Sequence, residues 1–152
     1  MDKDTNLHKE LDLIQNCIGR MAKNSFMLKG WSISLMAVVL ALTADRLNAL
    51  FLLCSVFIPL LCFWYLDAFF LRTERMYRKM YEWVLKERAN NSVEFQYDLN
   101  PKRFEKYVDS IFGIMRSDTL LVFYGIPALL ALFIILYKTT QFIIVFIKIG
   151  GF

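Results

Sequence analysis

One histidine, three cysteines, six glycines and three prolines are spread over 152 residues, and each scarcity closes off a class of function. The lone His8 lies in a polar segment, and there is no glycine-rich phosphate loop, no nucleophile elbow and no cluster of metal ligands. Nothing therefore points to an enzyme, a cofactor or a metal. Cys17, Cys54 and Cys62 share no metal-ligand spacing and imply no disulfide framework, so they read as packing cysteines. Residues 1–23 are polar and mixed in charge, which fits no secretory signal, and insertion into a membrane is expected to use the mature spans.

What the chain has in quantity is apolar side chains, 57% of the total, beside 18 basic and 14 acidic residues. The organising stretch is 47–86. Residues 47–66 are almost wholly apolar, and twenty helical positions at ~1.5 Å each match a hydrocarbon core of ~30 Å. Past Asp67 the helical pattern continues through Arg72, Arg75, Arg78, Lys79 and Lys86, and Trp64, Tyr65, Phe69 and Phe70 collect where the bilayer surface falls. The expectation is a span, residues 47–66, that leaves the membrane and continues as a cytoplasmic helix over 67–88.

Upstream, Leu7, Leu11, Ile14, Ile18 and Met21 recur at spacings of four and three, the stripe of an amphipathic helix over 5–24. Residues 25–44 are long enough for a first span. Along them Gly30, Ser34, Ala37, Ala41 and Ala44 repeat the same spacing, a small-residue face that permits close helix packing. Asp45 and Arg46 leave only a short turn before the second span, so the two must form an antiparallel hairpin. That turn sets a register pairing Leu7 with Val84, Leu11 with Met80, Ile14 with Tyr77 and Met21 with Phe70, and it predicts a two-helix stalk above the membrane. Glu74 with Arg78 and Glu82 with Lys86 stand four apart in the order that supports an exposed helix.

Beyond the stalk, Val93, Phe95, Tyr97 and Leu99 alternate with polar residues, which predicts an extended strap over 93–99, laid on the stalk or added to a neighbouring subunit's strand. Asn100 and Pro101 start a helix over 101–116 with Phe104, Tyr107, Val108, Ile111 and Phe112 on its apolar face. A third span is expected over 119–137, bent near Gly125 and Pro127. Lys138 to Gln141 reads as a polar break before an interfacial apolar tail, 142–152. The fold class is thus an all-α membrane protein: a two-span hairpin with a stalk, a strap, a third transmembrane helix and an apolar tail, in a single domain. Residues 1–29 carry five basic side chains and 66–117 carry ten, against one in the hairpin turn. The positive-inside rule then puts the N-terminus and stalk in the cytoplasm and the tail outside, in the inner (cytoplasmic) membrane.

Two sets of residues invite function. Asp67 lies in the aromatic girdle, where an ionised carboxylate must be paired or wetted; the register sets it opposite Asn24 with Lys23 one residue away, either as a lock on the hairpin or as a gating group. Lys29, at one end of the first span, keeps its stem in lipid while its ammonium reaches the headgroups. Arg72, Arg75, Lys79 and Lys86 form a stripe suited to anionic lipid headgroups or to an anionic ligand such as a nucleotide. Their aromatic neighbours Tyr77, Tyr81 and Trp83 read as stalk packing rather than base-stacking platforms, and duplex nucleic acid is not expected.

The runs IQNCIGRMAKNSF at 14–26, LKGW at 28–31 and YLDAFFLRTER at 65–75 resemble a widespread group of small bacterial integral membrane proteins. The layout of leading helix, tight two-span hairpin and cytoplasmic helix is similar to that of SLATT-type effectors, which are proposed to form pores in nucleotide-signalled antiphage defence. The resemblance marks Asn24, Lys29, Asp67, Arg72, Glu74 and Arg75 as signature positions without assigning them roles. The third span and tail depart from a two-span effector. What this implies is a homo-oligomeric channel or pore-forming effector gated through its stalk, the alternative being a non-conducting scaffold or lipid-binding adaptor that recruits a cytosolic partner.

Overall fold

A computed structural model describes residues 3–42 and 49–150. Two long helices, α1 (Lys3–Leu42) and α2 (Ala49–Ala89), run antiparallel against each other. At 40 and 41 residues, each is about 60 Å long by the helical rise. The Asp45–Arg46 turn and Ala44 lie outside the described residues. A 3₁₀ turn (Pro101–Tyr107), a short helix α3 (Ile111–Met115) and a third long helix α4 (Asp118–Gly150) follow, all packed on α2. Among the described residues, three helices are long and apolar enough to cross a membrane.

Two apolar clusters hold these elements together, and they divide where the sequence changes character. In the stalk, Ile14 and Ile18 of α1 meet Met76, Met80 and Val84 of α2, with Leu7, Leu11, Tyr77 and Tyr81 packed around them. That is the seam the four-three spacing predicts. In the apolar half, Met36 of α1, Val56, Leu60 and Ala68 of α2, Ile114 of α3, and Leu120, Tyr124 and Ala131 of α4 form the second cluster. Ala68 is fully buried, and its small side chain lets α3 and α4 approach α2 closely.

Several local expectations change. The small-residue stripe is not the hairpin seam: Gly30, Ser34, Ala37 and Ala41 are exposed, and a Cβ built on Gly30 would meet nothing within 4 Å. The face against α2 carries Ser25, Ser32 and Met36 instead, rotated about one residue, or ~100°, around the helix. The alternating segment 93–99 is not extended. It coils in turns, with Gln96 N–H donating to Val93 O and Asp98 N–H to Phe95 O. Asn91, Phe95 and Tyr97 take φ values of 59°, 52° and 62°, a left-handed conformation that costs bulky residues ~1–3 kcal/mol each. The segment still lies on the stalk, through Phe95 beside Trp83 and Tyr97 beside α1.

The helix expected over 101–116 is broken in two. Asn100 caps the 3₁₀ turn by accepting from Lys102 N–H, and Ser110 caps α3 by accepting from Gly113 N–H. Of its expected apolar face, Phe104 is buried, but Tyr107 and Phe112 are exposed. The tail is not a separate segment either. α4 runs through Gly125, Pro127 and the polar residues 138–141 as one 33-residue helix. Thr139 and Thr140 cancel much of their own polarity by donating to Ile135 O and Leu136 O.

Candidate functional site

The most concentrated chemistry in the apolar half centres on Asp67. Its carboxylate is fully buried, and it is contacted from both other long helices. From α1, Lys29 Nζ lies 2.6 Å from Oδ2 and Ser25 donates its hydroxyl to Oδ1. Lys29 Nζ also donates to Ser25 Oγ at 2.9 Å, which closes a triangle. From α4, the Tyr124 hydroxyl donates to Oδ2 at 3.1 Å. Aromatic rings wall the cluster. Trp64 stacks on Tyr124 with centroids 5.9 Å apart, Phe123 meets Tyr124 edge-on, and Lys29 Nζ lies 5.9 Å from the Phe123 centroid.

The cluster ties the two arms of the hairpin together, through partners other than the expected ones. Asp67 does not pair with Asn24 or Lys23; Lys23 is exposed, and Asn24 lines a shallow surface groove with Met27, Leu28, Trp31 and Phe70. Lys29, expected to reach headgroups, turns inward as the counter-ion. The missed signal was the set Ser25, Lys29, Ser32 and Met36, spaced four, three and four, which puts a hydroxyl and an ammonium on the face opposite Asp67. Tyr124 had no local signal, being 57 residues from Asp67 in the chain. Tyr124→Phe removes one hydrogen bond to a charged acceptor and is expected to lower stability by ~1.5–3 kcal/mol. A shift of the detergent-solubilised unfolding midpoint would read it, and an unshifted midpoint would refute the bond's role.

The basic stripe is largely engaged inside the chain. Arg72 holds Glu105 at 2.9 Å and the Asp109 carbonyl at 3.0 Å, Arg75 holds the Asp109 carboxylate at 3.1 Å, and Lys79 holds Glu82 at 2.8 Å. Arg72 and Arg75 thus fasten the 3₁₀ turn and the segment before α3 to the stalk. Glu74 makes the expected pair with Arg78, whereas Glu82 pairs with Lys79 rather than Lys86, which is exposed. Between these elements is an open groove of about 350 Å³ lined by Arg75, Arg78, Lys79, Glu82, Tyr107, Val108 and Asp109.

A second buried ion pair sits at the far end of the stalk. Glu10 and Arg88 are 2% and 8% exposed and bond through both carboxylate oxygens at 2.9 Å. Arg88 also donates to the carbonyls of Ser92 and Glu94, and Glu10 accepts the Tyr97 N–H at 3.0 Å. Sequence reading passed over this pair because Glu10 lies among other polar residues off the apolar stripe. Next to it, Arg103 stacks against Phe95, its guanidinium carbon 3.9 Å from the ring centroid, with Trp83 and Phe104 nearby. Among the described residues no group of three His, Cys, Asp or Glu side chains could hold a metal ion, and Cys17, Cys54 and Cys62 are free thiols.

The fold defines a class, an all-α chain whose three long apolar helices are compatible with an integral membrane protein. No protein-family model, no curated protein and no solved structure matches it.

Proposed function

We propose that this is a homo-oligomeric membrane protein, a channel or pore-forming effector, whose cytoplasmic stalk passes a signal to the membrane bundle. The observation that carries the reading is that Asp67 binds both other apolar helices and sits on α2, which runs on unbroken into the stalk. A displacement of the stalk, by an anionic nucleotide or a cytosolic partner in the groove beside Arg75, Arg78 and Lys79, acts directly on that cluster. Subunit contact is supported by the exposed Gly30, Ser34, Ala37 and Ala41 face of α1, which bears a notch of about 300 Å³ lined by Met27, Gly30, Trp31 and Ser34.

One observation favours the alternative, a non-conducting scaffold or adaptor: Asp67 is sealed by its own partners and is a structural lock in the single chain. The experiment that separates the two is conductance of the purified protein in planar bilayers, paired with membrane potential in cells overproducing it. Conductance with depolarisation supports the effector. A polarised membrane and silent bilayers sink it and leave the adaptor, whose cytosolic partner would then be sought on the stalk.

A further inference from the structure

α3 lies where α2 leaves its apolar stretch, and two hydrogen bonds fix its depth. The Trp64 indole N–H donates to Met115 O at 3.0 Å, and Arg72 Nε donates to Asp109 O at 3.0 Å. Trp64 and Arg72 are eight residues apart on one helix, about 12 Å along its axis. The segment 109–115 therefore descends from the level of Arg72 to that of Trp64, and Phe112, midway, lies near the level of Ala68. That is the aromatic girdle, where Tyr65 and Phe69 are exposed. Phe112 is itself 68% exposed, far more than its buried neighbour Ile114.

Arg116 follows Met115 at the same depth and is exposed. Among the described residues no carboxylate pairs with it, whereas Arg72 and Arg75 both hold acids. An exposed guanidinium at the level of Trp64, in the girdle that marks the bilayer surface, is within reach of anionic headgroups. Phe112 and Arg116 are four residues apart, on the same side of this helical turn.

We propose that Phe112 and Arg116 form a phospholipid site at the membrane surface, the ring seated at the glycerol–acyl boundary and the guanidinium on the headgroup phosphate. The planar, permanently charged fork of arginine suits a phosphate diester, and the exposed ring gains from leaving water. The occupant is a lipid of the surrounding bilayer, because a free phosphate gives the ring nothing to pack against. The site anchors α3, and through Arg72 and Trp64 it holds the stalk and the bundle at a fixed height. The inference rests on the chain crossing a bilayer with its surface near Asp67, and it is independent of whether the protein conducts.

The test introduces p-benzoylphenylalanine at position 112 of the full chain, in vesicles of phosphatidylglycerol and phosphatidylcholine, with position 93 as reference because Val93 is exposed at the end of the stalk. Irradiation is expected to add phospholipid mass at 112 and none at 93, with or without added inorganic phosphate. Adducts to a second copy, equal labelling at 93, or loss of the adduct on adding phosphate would each overturn the proposal. Arg116→Gln is expected to lower the phospholipid adduct at 112 several-fold in phosphatidylglycerol and phosphatidylcholine alike, because both carry the phosphate diester, while Lys102→Gln, an exposed charge on the 3₁₀ turn, leaves it intact. An unchanged adduct yield in the Arg116 variant would overturn the phosphate contact.

Discussion

Lys29→Met is expected to destabilise the protein more than Asp67→Asn, although the two residues form one ion pair. Asp67 is fully buried and Lys29 retains 21% exposure of its side chain, so the two are not equally able to survive alone. Without Lys29, the carboxylate keeps only the Ser25 and Tyr124 hydroxyls, and the cost falls in the range of ~3–5 kcal/mol for orphaning one member of a buried pair. Without the carboxylate, the ammonium can swing along its stem to the headgroups, and an asparagine still accepts a hydrogen bond from Ser25 or Tyr124. The combined change Lys29→Met with Asp67→Asn is expected to recover much of the loss, because the neutral amide leaves no charge buried without a counter-ion and still accepts from Ser25 or Tyr124. Unfolding midpoints of the four proteins in one detergent decide it. Equal losses for the two single variants, or a double variant no better than Lys29→Met, would show that the cluster is held by something other than the pair.

At the other end of the stalk, Arg88→Met is expected to melt the turn segment 91–98 while leaving the helices standing. Arg88 neutralises a buried Glu10 and ties two carbonyls of the segment, and Glu10 ties Tyr97. These bonds hold Asn91, Phe95 and Tyr97 in left-handed backbone conformations that they would otherwise leave. Once the guanidinium is gone, strain and the orphaned carboxylate act together. Amide exchange at Tyr97 should accelerate about a hundredfold, which at ~1.4 kcal/mol per tenfold corresponds to ~3 kcal/mol. Protection at Ile14, Met80 and Val84 should persist, since their apolar seam does not pass through Arg88. Lys79→Met is the control: its side chain and that of Glu82 are 46% and 64% exposed, and their pair is worth under ~1 kcal/mol. Unchanged exchange at Tyr97 in the Arg88 variant would mean that the segment is held by its aromatic contacts with Trp83 and Arg103 alone.

The same residues mark what a linear reading can and cannot reach. The stalk seam was legible because Leu7, Leu11, Ile14 and Ile18 recur with the helical period, and a period is a local property. Asp67 stood out because a carboxylate in an apolar girdle is costly wherever its partner is. Its partners were not legible from the turn register, which counts residues along two arms but ignores rotation about the helix axis and side-chain length. Lys29 therefore reaches Asp67 while Lys23, nearer by the register, points away. The alternation in 93–99 has the period of a strand, but Arg88 and Glu10 supply its backbone groups with side-chain partners, so no neighbouring strand is needed.

Composition and periodicity alone determined that this chain is helical, that three stretches suit a bilayer and that two of them extend into a charged stalk. Those properties are sums over many neighbouring residues, so no single contact could overturn them. Only the tertiary structure decided that α4 bonds to Asp67 through Tyr124, that α1 turns its small residues outward, and that Arg88 governs a strained segment. Each of these depends on one side chain meeting another dozens of residues away, and whether it does is set by helix rotation and depth, which local sequence does not encode.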